Sequence, residues 1–332
     1  MVPRGRPALW LLAALILVVA LVIASSYMAM GGSGTTTFTP QDPAIGSSGS
    51  VVTYPSDYAQ LAAHVLSLIN QAREANGYSP VVLDPEPSAQ QHADSMLYYG
   101  YFSHWDPQGY KPYMRYTLMN GTGAVFENIA WSHNPTPLFL GTTSAEAELD
   151  DLHYEMMYND AFENWGHRIN ILDPTHNEVS IGVAFNSTDL YLVEDFENVY
   201  GNLTTSYVAS SGEVTMAGAL AAGVNPAAVQ VYYDPPPTPE GAFQLLTVSN
   251  FTGPYTPGEY TGEVFPSCSI YCPAPTGNVS ISAVTWSATL NLTIQFDLSP
   301  FINLFGPGVY TLYLQNSTGT VFTSHSIFVE TQ

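Results

Sequence analysis

A long uncharged apolar run near the N-terminus constrains this chain more than any other feature. Residues 8–30 contain no Asp, Glu, Lys or Arg. At about 1.5 Å per helical residue, a run of this length crosses a hydrocarbon core of about 30 Å. Arg4 and Arg6 lie on its short flank, which predicts a cytoplasmic N-terminus at residues 1–7. The sequence therefore predicts a single-pass protein of the cell membrane, anchored through residues 8–30, with its C-terminal domains extracellular.

A cleaved signal peptide is the alternative interpretation of this run. Ala24, Ser25 and Ser26 supply the small residues that a signal peptidase needs. The run is longer than the 7–15 apolar residues of an ordinary signal core, which favours an uncleaved anchor. Residues 31–55 follow it and are rich in Gly, Ser, Thr and Pro, which predicts a flexible stalk.

The charge balance excludes one class of partner. The chain has 6 Lys and Arg against 28 Asp and Glu, for a formal net charge of −22 at pH 7. Nucleic-acid affinity comes mainly from basic side chains that neutralise phosphates, and this chain offers few. We therefore expect no nucleic-acid partner.

Sequons and cysteines both agree with export. Asn-x-Ser/Thr sequons are more frequent than the composition gives by chance, and each is a candidate glycosylation site. They begin at Asn120, Asn186, Asn202, Asn250, Asn278, Asn291 and Asn316. The two cysteines, Cys268 and Cys272, predict a small-loop disulfide in an exported chain, because two thiols fall short of a four-ligand zinc site.

Hydrophobic periodicity divides the remaining chain into two regions. Residues 56–203 begin with helical spacing of apolar residues, and further helices are expected over residues 88–99 and from Thr143. Strand-like runs follow at residues 179–185 and 190–196, so this region is α+β, with helices covering a sheet. Residues 204–332 show alternating strands separated by Pro-rich turns, which predicts an all-β sandwich that serves as a spacer or contact module.

Three segments of the first region carry a family resemblance. They are YFSHWDP from Tyr101, ENIAW from Glu127 and GHRINILDP from Gly166. In this order and in these helix and strand contexts, residues 56–200 resemble the CAP superfamily (the SCP, or pathogenesis-related, domain), particularly its prokaryotic branch. The resemblance implies an α-β-α sandwich with a cleft. The cysteine pairs of eukaryotic members are absent.

The resemblance also implies a cleft tetrad of two histidines and two acidic residues. His104, Glu127 and His167 match three of its positions. The fourth position is open, because this chain has a longer stretch before His167; helical geometry favours Glu155 over Asp151 and Asp160. Activities described for the family include lipid or sterol binding, metal-dependent binding and proteolysis, so the resemblance does not select one.

The chemistry of these residues leaves several functions open. Two imidazoles suit Zn²⁺ or a similar divalent ion, and a neighbouring carboxylate can orient or deprotonate a bound water. The same residues could equally form a hydrogen-bonded cluster that stabilises the cleft. We favour a tethered surface module that binds a lipid, a peptide or a cell-envelope partner, with His104 and His167 as candidate metal ligands. The alternatives are a metal-dependent hydrolase with Glu127 as its base, and a structural envelope protein with no site.

Overall fold

The structure is a computed structural model that describes residues 56–139, 141–266, 277–289 and 291–330. The predicted anchor, the stalk and the Cys268–Cys272 disulfide lie outside these ranges and stay predictions. Within the described ranges, no helix is both long enough and apolar enough to span a bilayer.

The first region contains a four-stranded sheet in the order β1-β3-β4-β2, with β1 parallel to β3 and the other pairs antiparallel. Its strands are β1 (Val82–Leu83), β2 (Ala124–His133), β3 (Glu178–Phe185) and β4 (Asp189–Asn198). Its helices are α1 (Ser56–Ala75), α2 (Ser88–Tyr99), α3 (Pro112–Leu118), α4 (Thr142–Tyr158) and α5 (Gly166–Ile171), with a 3-10 turn at Asp160–Glu163. The helices predicted over residues 88–99 and from Thr143 are confirmed, as are both strands.

Helices cover both faces of this sheet, because alternate strand residues are apolar on each side. On one face, Val65 of α1 and Leu149 of α4 share a core with Val179 of β3. On the opposite face, Met96 of α2 shares a second core with Val193 of β4. The result is a mixed α and β domain with one core on each side of its sheet.

Gly182 sets how closely α2 can approach the sheet. A Cβ atom at this position of β3 would lie 2.1 Å from the carbonyl oxygen of Ala89 in α2. Any side chain would push the helix away, so the close contact depends on glycine.

The second region contains two further sheets, in the orders β10-β11-β6-β5 and β13-β12-β7-β8-β9. Its strands are β5 (Gly201–Val208), β6 (Glu213–Leu220), β7 (Ala228–Asp234), β8 (Glu259–Phe265), β9 (Val279–Ser282), β10 (Thr285–Ala288), β11 (Asn291–Asp297), β12 (Gly308–Gln315) and β13 (Val321–Val329). The two sheets enclose one apolar core that includes Met216, Val231, Ile294 and Leu312.

The expectation of an all-β region needs one correction. Short helices interrupt the strands at α6 (Ala242–Thr247), α7 (Ser249–Thr252) and α8 (Ser299–Phe305). Phe301 of α8 and Leu245 of α6 are fully buried, which explains why these short segments hold their place. Leu245 belongs to the core of the first region, so the α6–α7 segment packs on the CAP-like domain.

Polar contacts also join the two regions. Asp234, at the end of β7, accepts from Lys111 Nζ at Oδ1 and from the Tyr113 hydroxyl at Oδ2, each at 2.7 Å. The backbone N–H of Ser324 on β13 donates to the Gly123 carbonyl oxygen at 2.9 Å. The second region is therefore bonded to the first along much of its boundary.

Candidate functional site

A buried ion pair lies behind the predicted cleft. Arg115 on α3 donates from Nη2 to Glu127 Oε2 at 2.6 Å, and Glu127 Oε1 lies 2.8 Å from His104 Nδ1. Arg115 Nη1 also donates to the His104 carbonyl oxygen at 2.8 Å. Two of the predicted tetrad residues are thus in direct contact, and Arg115, which no sequence motif marks, links them.

A left-handed glycine brings His104 to this position. Gly100 has φ +66°, and its N–H donates to the Met96 carbonyl oxygen at 2.9 Å, which ends α2. Glycine adopts this conformation at little cost and is the usual residue beyond a helix C-terminus. The chain then turns back under the helix and places His104 against β2.

Burial and the charge of Arg115 determine the protonation states of His104 and Glu127. Burial, together with the charge of Arg115, lowers the pKa of His104 to about 3, so the ring is neutral at physiological pH. Burial raises the pKa of Glu127, and the contact with the Arg115 guanidinium opposes that rise. Because the guanidinium is in direct contact, Glu127 carries the negative charge and only accepts hydrogen bonds. The proton of His104 is therefore on Nδ1, and Nε2 presents a lone pair.

The second histidine has the same arrangement on a different element. His167 on α5 lies with Nδ1 2.7 Å from Asp160 Oδ1, and the backbone N–H of Arg168 donates to Asp160 Oδ2 at 3.2 Å. Asp160 is buried, with 3% of its side chain exposed. In the neutral ring, this carboxylate again leaves Nε2 with a lone pair.

A cavity of about 270 Å³ connects the two histidines. Its lining includes His104, Glu127, Glu163, His167 and Tyr255. Drug-sized ligands occupy sites of about 300–1,000 Å³, so this cavity suits a smaller ligand or one end of a larger one. In the part of the chain described, neither Nε2 atom has a hydrogen-bond partner in the protein.

The second region forms one wall of this cavity. The Tyr255 ring packs on the His104 ring, and the backbone N–H of Glu127 donates to the Tyr255 hydroxyl at 2.8 Å. Gly253 and Pro254 line the cavity beside it. Tyr255 lies between α7 and β8, in a region that the sequence analysis expected to act as a spacer or contact module. No local signal marked this contact, because it depends on how the two regions pack.

A larger, more open depression lies elsewhere on the first region. It has a volume of about 700 Å³ and is lined by residues that include Tyr78, Tyr158, Trp165 and Ile169. Neither His104 nor His167 belongs to it. The smaller cavity holds the titratable groups and is the candidate site.

Glu155 is not part of the cavity, which corrects the prediction for the fourth tetrad position. It lies in the last turn of α4, is exposed, and accepts a hydrogen bond from Asn159 Nδ2 at 2.5 Å. The helix buries Ala145, Leu149 and Met156 against the sheet, and this rotation turns Glu155 to solvent. Asp160, which the sequence analysis ranked lower, instead contacts His167, and Glu163 lines the cavity.

The structure also gives Glu127 a different role from the general base considered above. One of its oxygens accepts from Arg115, and the other accepts from His104. A general base needs a lone pair directed at the proton that it removes. Glu127 therefore positions His104, and the Nε2 atom of His104 presents its lone pair to the cavity.

His104 and His167 are of a residue type that binds divalent metal ions, but together they supply only two ligands. Two neutral imidazoles with carboxylates behind them are a common arrangement for Zn²⁺. Across the described residues, however, no group of three or more His, Cys, Asp or Glu side chains is arranged to hold a metal ion. His104 and His167 would thus provide two ligands and leave the other positions to water or a bound molecule.

The candidate glycosylation sites are all accessible. Six of the seven sequon asparagines are exposed, and Asn316 is half-buried.

The comparisons with known proteins concern the first region. Residues 66–200 match the profile of the CAP family, described as the cysteine-rich secretory protein family. No curated protein sequence matches the chain significantly.

Solved structures show a partial similarity. An extracellular protein with an SCP domain from Bacillus anthracis strain Ames is 19% identical, with a TM-score of 0.32 over 44% of each chain. The CAP domain of enterococcal PrgA is 10% identical, with a TM-score of 0.34 over 45% of this chain and 64% of that one. BmVAL-1 is 13% identical, with a TM-score of 0.27 over 46% of this chain and 82% of that one. The chain thus spans less than half of the first of these structures.

The profile match covers the segments that contain His104, Glu127 and His167 and the sheet that carries them. It confirms the resemblance drawn from those motifs. Residues 66–200 are therefore a CAP domain, as the family model describes it.

Proposed function

We propose that this protein is a membrane-tethered, extracellular binding module whose CAP cavity takes a divalent metal ion together with a small ligand. One observation carries the proposal: two histidines on separate elements line one cavity, each with a carboxylate at Nδ1 and an unpartnered Nε2. A bound divalent ion would polarise an oxygen of the ligand in the open coordination positions. The protein's own contribution is to hold both rings in one tautomer.

Zinc uptake by the purified full-length chain tests the metal part of this proposal. After treatment with a chelator, titration with Zn²⁺ near pH 7 should show one bound ion per chain. The double variant His104→Ala, His167→Ala should bind at least ten-fold more weakly, because both nitrogen ligands are lost.

Two surface histidines provide the matched control. His64 and His133 also contact carboxylates through ring nitrogens, at 2.8 Å from Asp150 and Asp189 respectively, but they do not line the cavity. The variant His64→Ala, His133→Ala should bind Zn²⁺ as the original chain does. Equal weakening in both double variants, or no stoichiometric uptake by the original chain, would reject the metal site.

The location rests on the sequence. The apolar residues 8–30, the basic flank and the accessible sequon asparagines support a tethered, exported protein. Protease added to intact cells should remove residues 56–332 and leave a short membrane-bound fragment. Full protection of the chain in intact cells, with digestion only after lysis, would contradict the proposed orientation.

A further inference from the structure

A second buried carboxyl group lies directly behind the cavity. Asp195 is in the middle of β4 with 1% of its surface exposed. In the sheet register it is paired with Glu127 on β2 and with Ser180 on β3. Side chains of paired residues lie on the same face of a sheet, so Asp195 and Glu127 are neighbours in the interior.

The hydrogen bonds of Asp195 are incomplete if it is ionised. Its Oδ2 accepts from the Ser88 hydroxyl at 2.7 Å. Its Oδ1 is buried and receives no donor from any residue in the described ranges. The carboxyl group of Glu127 lies within hydrogen-bonding reach of it. Two ionised carboxylates cannot hydrogen-bond to each other, because both only accept.

The charges around Asp195 also favour its protonated form. One guanidinium, that of Arg115, faces the carboxyl groups of Glu127, Asp106 and Asp195, and it contacts Glu127 directly. With Glu127 and Asp195 both ionised, the cluster would hold an uncompensated negative charge out of water, which is costly. If Asp195 keeps its proton, the positive charge of Arg115 balances the negative charge of Glu127.

The other titratable groups near Asp195 add no positive charge. Glu86 lies on the far side of Ser88, with its Oε2 2.5 Å from the Ser88 hydroxyl oxygen. Because the single proton of that hydroxyl is directed at Asp195, Glu86 keeps its own proton and donates to Ser88, and burial raises the pKa of Glu86 to about 8. Glu197 is two residues further along β4, and His104 is neutral. Burial raises the pKa of Asp195 to about 8, and the charge of Glu127 adds to this effect.

We propose that Asp195 is a positioning residue that is protonated at neutral pH, donates a hydrogen bond from Oδ1 to Glu127, and so holds His104 with Nε2 toward the cavity. Glu127 then accepts from three donors, on Arg115, His104 and Asp195, which leaves its carboxylate no freedom to rotate. The protonation of Asp195 stands on the geometry alone, whereas its effect on ligand binding rests on the proposed function.

Infrared spectroscopy of the full-length chain tests the protonation directly. The difference spectrum between the original chain and Asp195→Asn at pH 7 should show loss of the carbonyl stretch of a protonated carboxylic acid, with the small shift expected in D₂O. Loss of an ionised carboxylate band instead would overturn the proposal. This readout needs no ligand, so it is independent of whether the cavity binds Zn²⁺.

The effect on binding separates positioning from simple structural support. Asn keeps an N–H donor toward Glu127, so Asp195→Asn should bind Zn²⁺ within about three-fold of the original chain. Asp195→Leu removes the donor and should weaken binding about ten-fold or more, as loss of a hydrogen bond behind a metal ligand typically does. Equal weakening in Asn and Leu variants would overturn the positioning role.

Glu197→Gln is the matched control. Glu197 is a buried acid on the same strand, but its Oε2 accepts from the Tyr116 hydroxyl and it has no contact with His104. This variant should leave Zn²⁺ binding unchanged. If the Asp195 variants do not fold, ¹³C NMR of the original chain with labelled aspartate carboxyls decides the matter: no aspartate still protonated at pH 7 would overturn the proposal.

Discussion

The ring of Tyr255 lies on the ring of His104, with centroids 4.8 Å apart and planes inclined by 56°. Tyr255 belongs to the second region and His104 to the CAP domain. The β region therefore does more than space the domain from its surroundings, since it closes one side of the candidate site. The size and the polarity of the cavity depend on both regions.

Removing the Tyr255 side chain should destabilise the protein and open the cavity. Tyr255→Ala loses the contact with His104 and leaves the N–H of Glu127 without its acceptor, so we expect a loss of about 3 kcal/mol in the free energy of unfolding. Chemical denaturation measures this loss. Tyr98, which is 75% exposed, provides the control, and Tyr98→Ala should cost less than about 0.5 kcal/mol. Similar costs for the two variants would contradict the packed wall.

Loss of the buried Arg115 guanidinium should destabilise the protein more than loss of the Tyr255 side chain. Arg115→Met removes the donor to Glu127 Oε2 and one donor each from the carbonyl oxygens of His104 and Tyr110, and breaking a buried ion pair costs about 3–5 kcal/mol. Arg115→Lys should restore little, because one ammonium group cannot reproduce the planar set of donors. Thermal unfolding of both variants would show this, and a lysine variant as stable as the original chain would refute it.

Stability should fall as the pH rises from 6.5 to 8.5. Burial raises the pKa of Glu194 to about 7, of Glu86 and Asp195 to about 8, and of Glu197 to about 10. Carboxyl groups in the unfolded chain have a pKa near 4, so over this range the folded state holds more protons than the unfolded state. Stability therefore decreases by about 1.4 kcal/mol per pH unit for each group still protonated.

The buried histidines change the stability of the protein over a different pH range. Burial lowers the pKa of His104 to about 3 and of His153, His176 and His325 to about 4. Their contribution is complete above pH 6.5 and is lost as the pH falls below it, so it opposes the carboxyl effect only in the acidic range. Urea unfolding at pH 6.5, 7.5 and 8.5, at low and high salt, isolates the carboxyl effect. A stability that is constant or rising over this range would contradict the prediction.

The two regions should unfold together. Asp234 accepts from Lys111 and Tyr113 at the boundary and is 6% exposed. Asp234→Leu removes the carboxylate from a buried ion pair with Lys111 and leaves the Tyr113 hydroxyl without its acceptor, so we expect a cost of about 3 kcal/mol with a single transition by fluorescence and circular dichroism.

An exposed pair gives the comparison for this variant. His64 and Asp150 are 2.8 Å apart, with 28% and 54% of their side chains exposed. Asp150→Leu should cost less than about 1 kcal/mol, as exposed pairs usually do. Two separate transitions in the original chain, or an Asp234 variant as stable as the Asp150 variant, would show that the boundary contributes little.

Local pattern predicted most of the secondary structure of the CAP domain. The expected helix over residues 88–99 coincides with α2, and the expected strands differ from β3 and β4 by at most two residues at an end. Periodicity predicts these elements because each buries one stripe or one face, and that requirement is written in neighbouring residues. The family motifs likewise identified His104, Glu127 and His167 without a structure.

Helical geometry alone could not select the fourth acidic residue. It favoured Glu155, since a residue at the edge of an apolar stripe can turn toward a cleft or away from it. The structure turns it away, and Asp160 contacts His167 from the 3-10 turn that follows α4. The direction of a side chain at such an edge is set by how the whole helix packs, which periodicity does not contain.

The sequence by itself determined the apolar N-terminal run, the acidic composition, the two-region order and three residues of the candidate site. Only the tertiary structure decided the environment of those residues: Arg115 beside Glu127, Asp195 behind it and Tyr255 over His104. These contacts join residues far apart in the chain, and their energies come from burial and charge balance in the folded interior. A linear pattern records which side chains are present, whereas desolvation and pairing arise only when the fold brings them together.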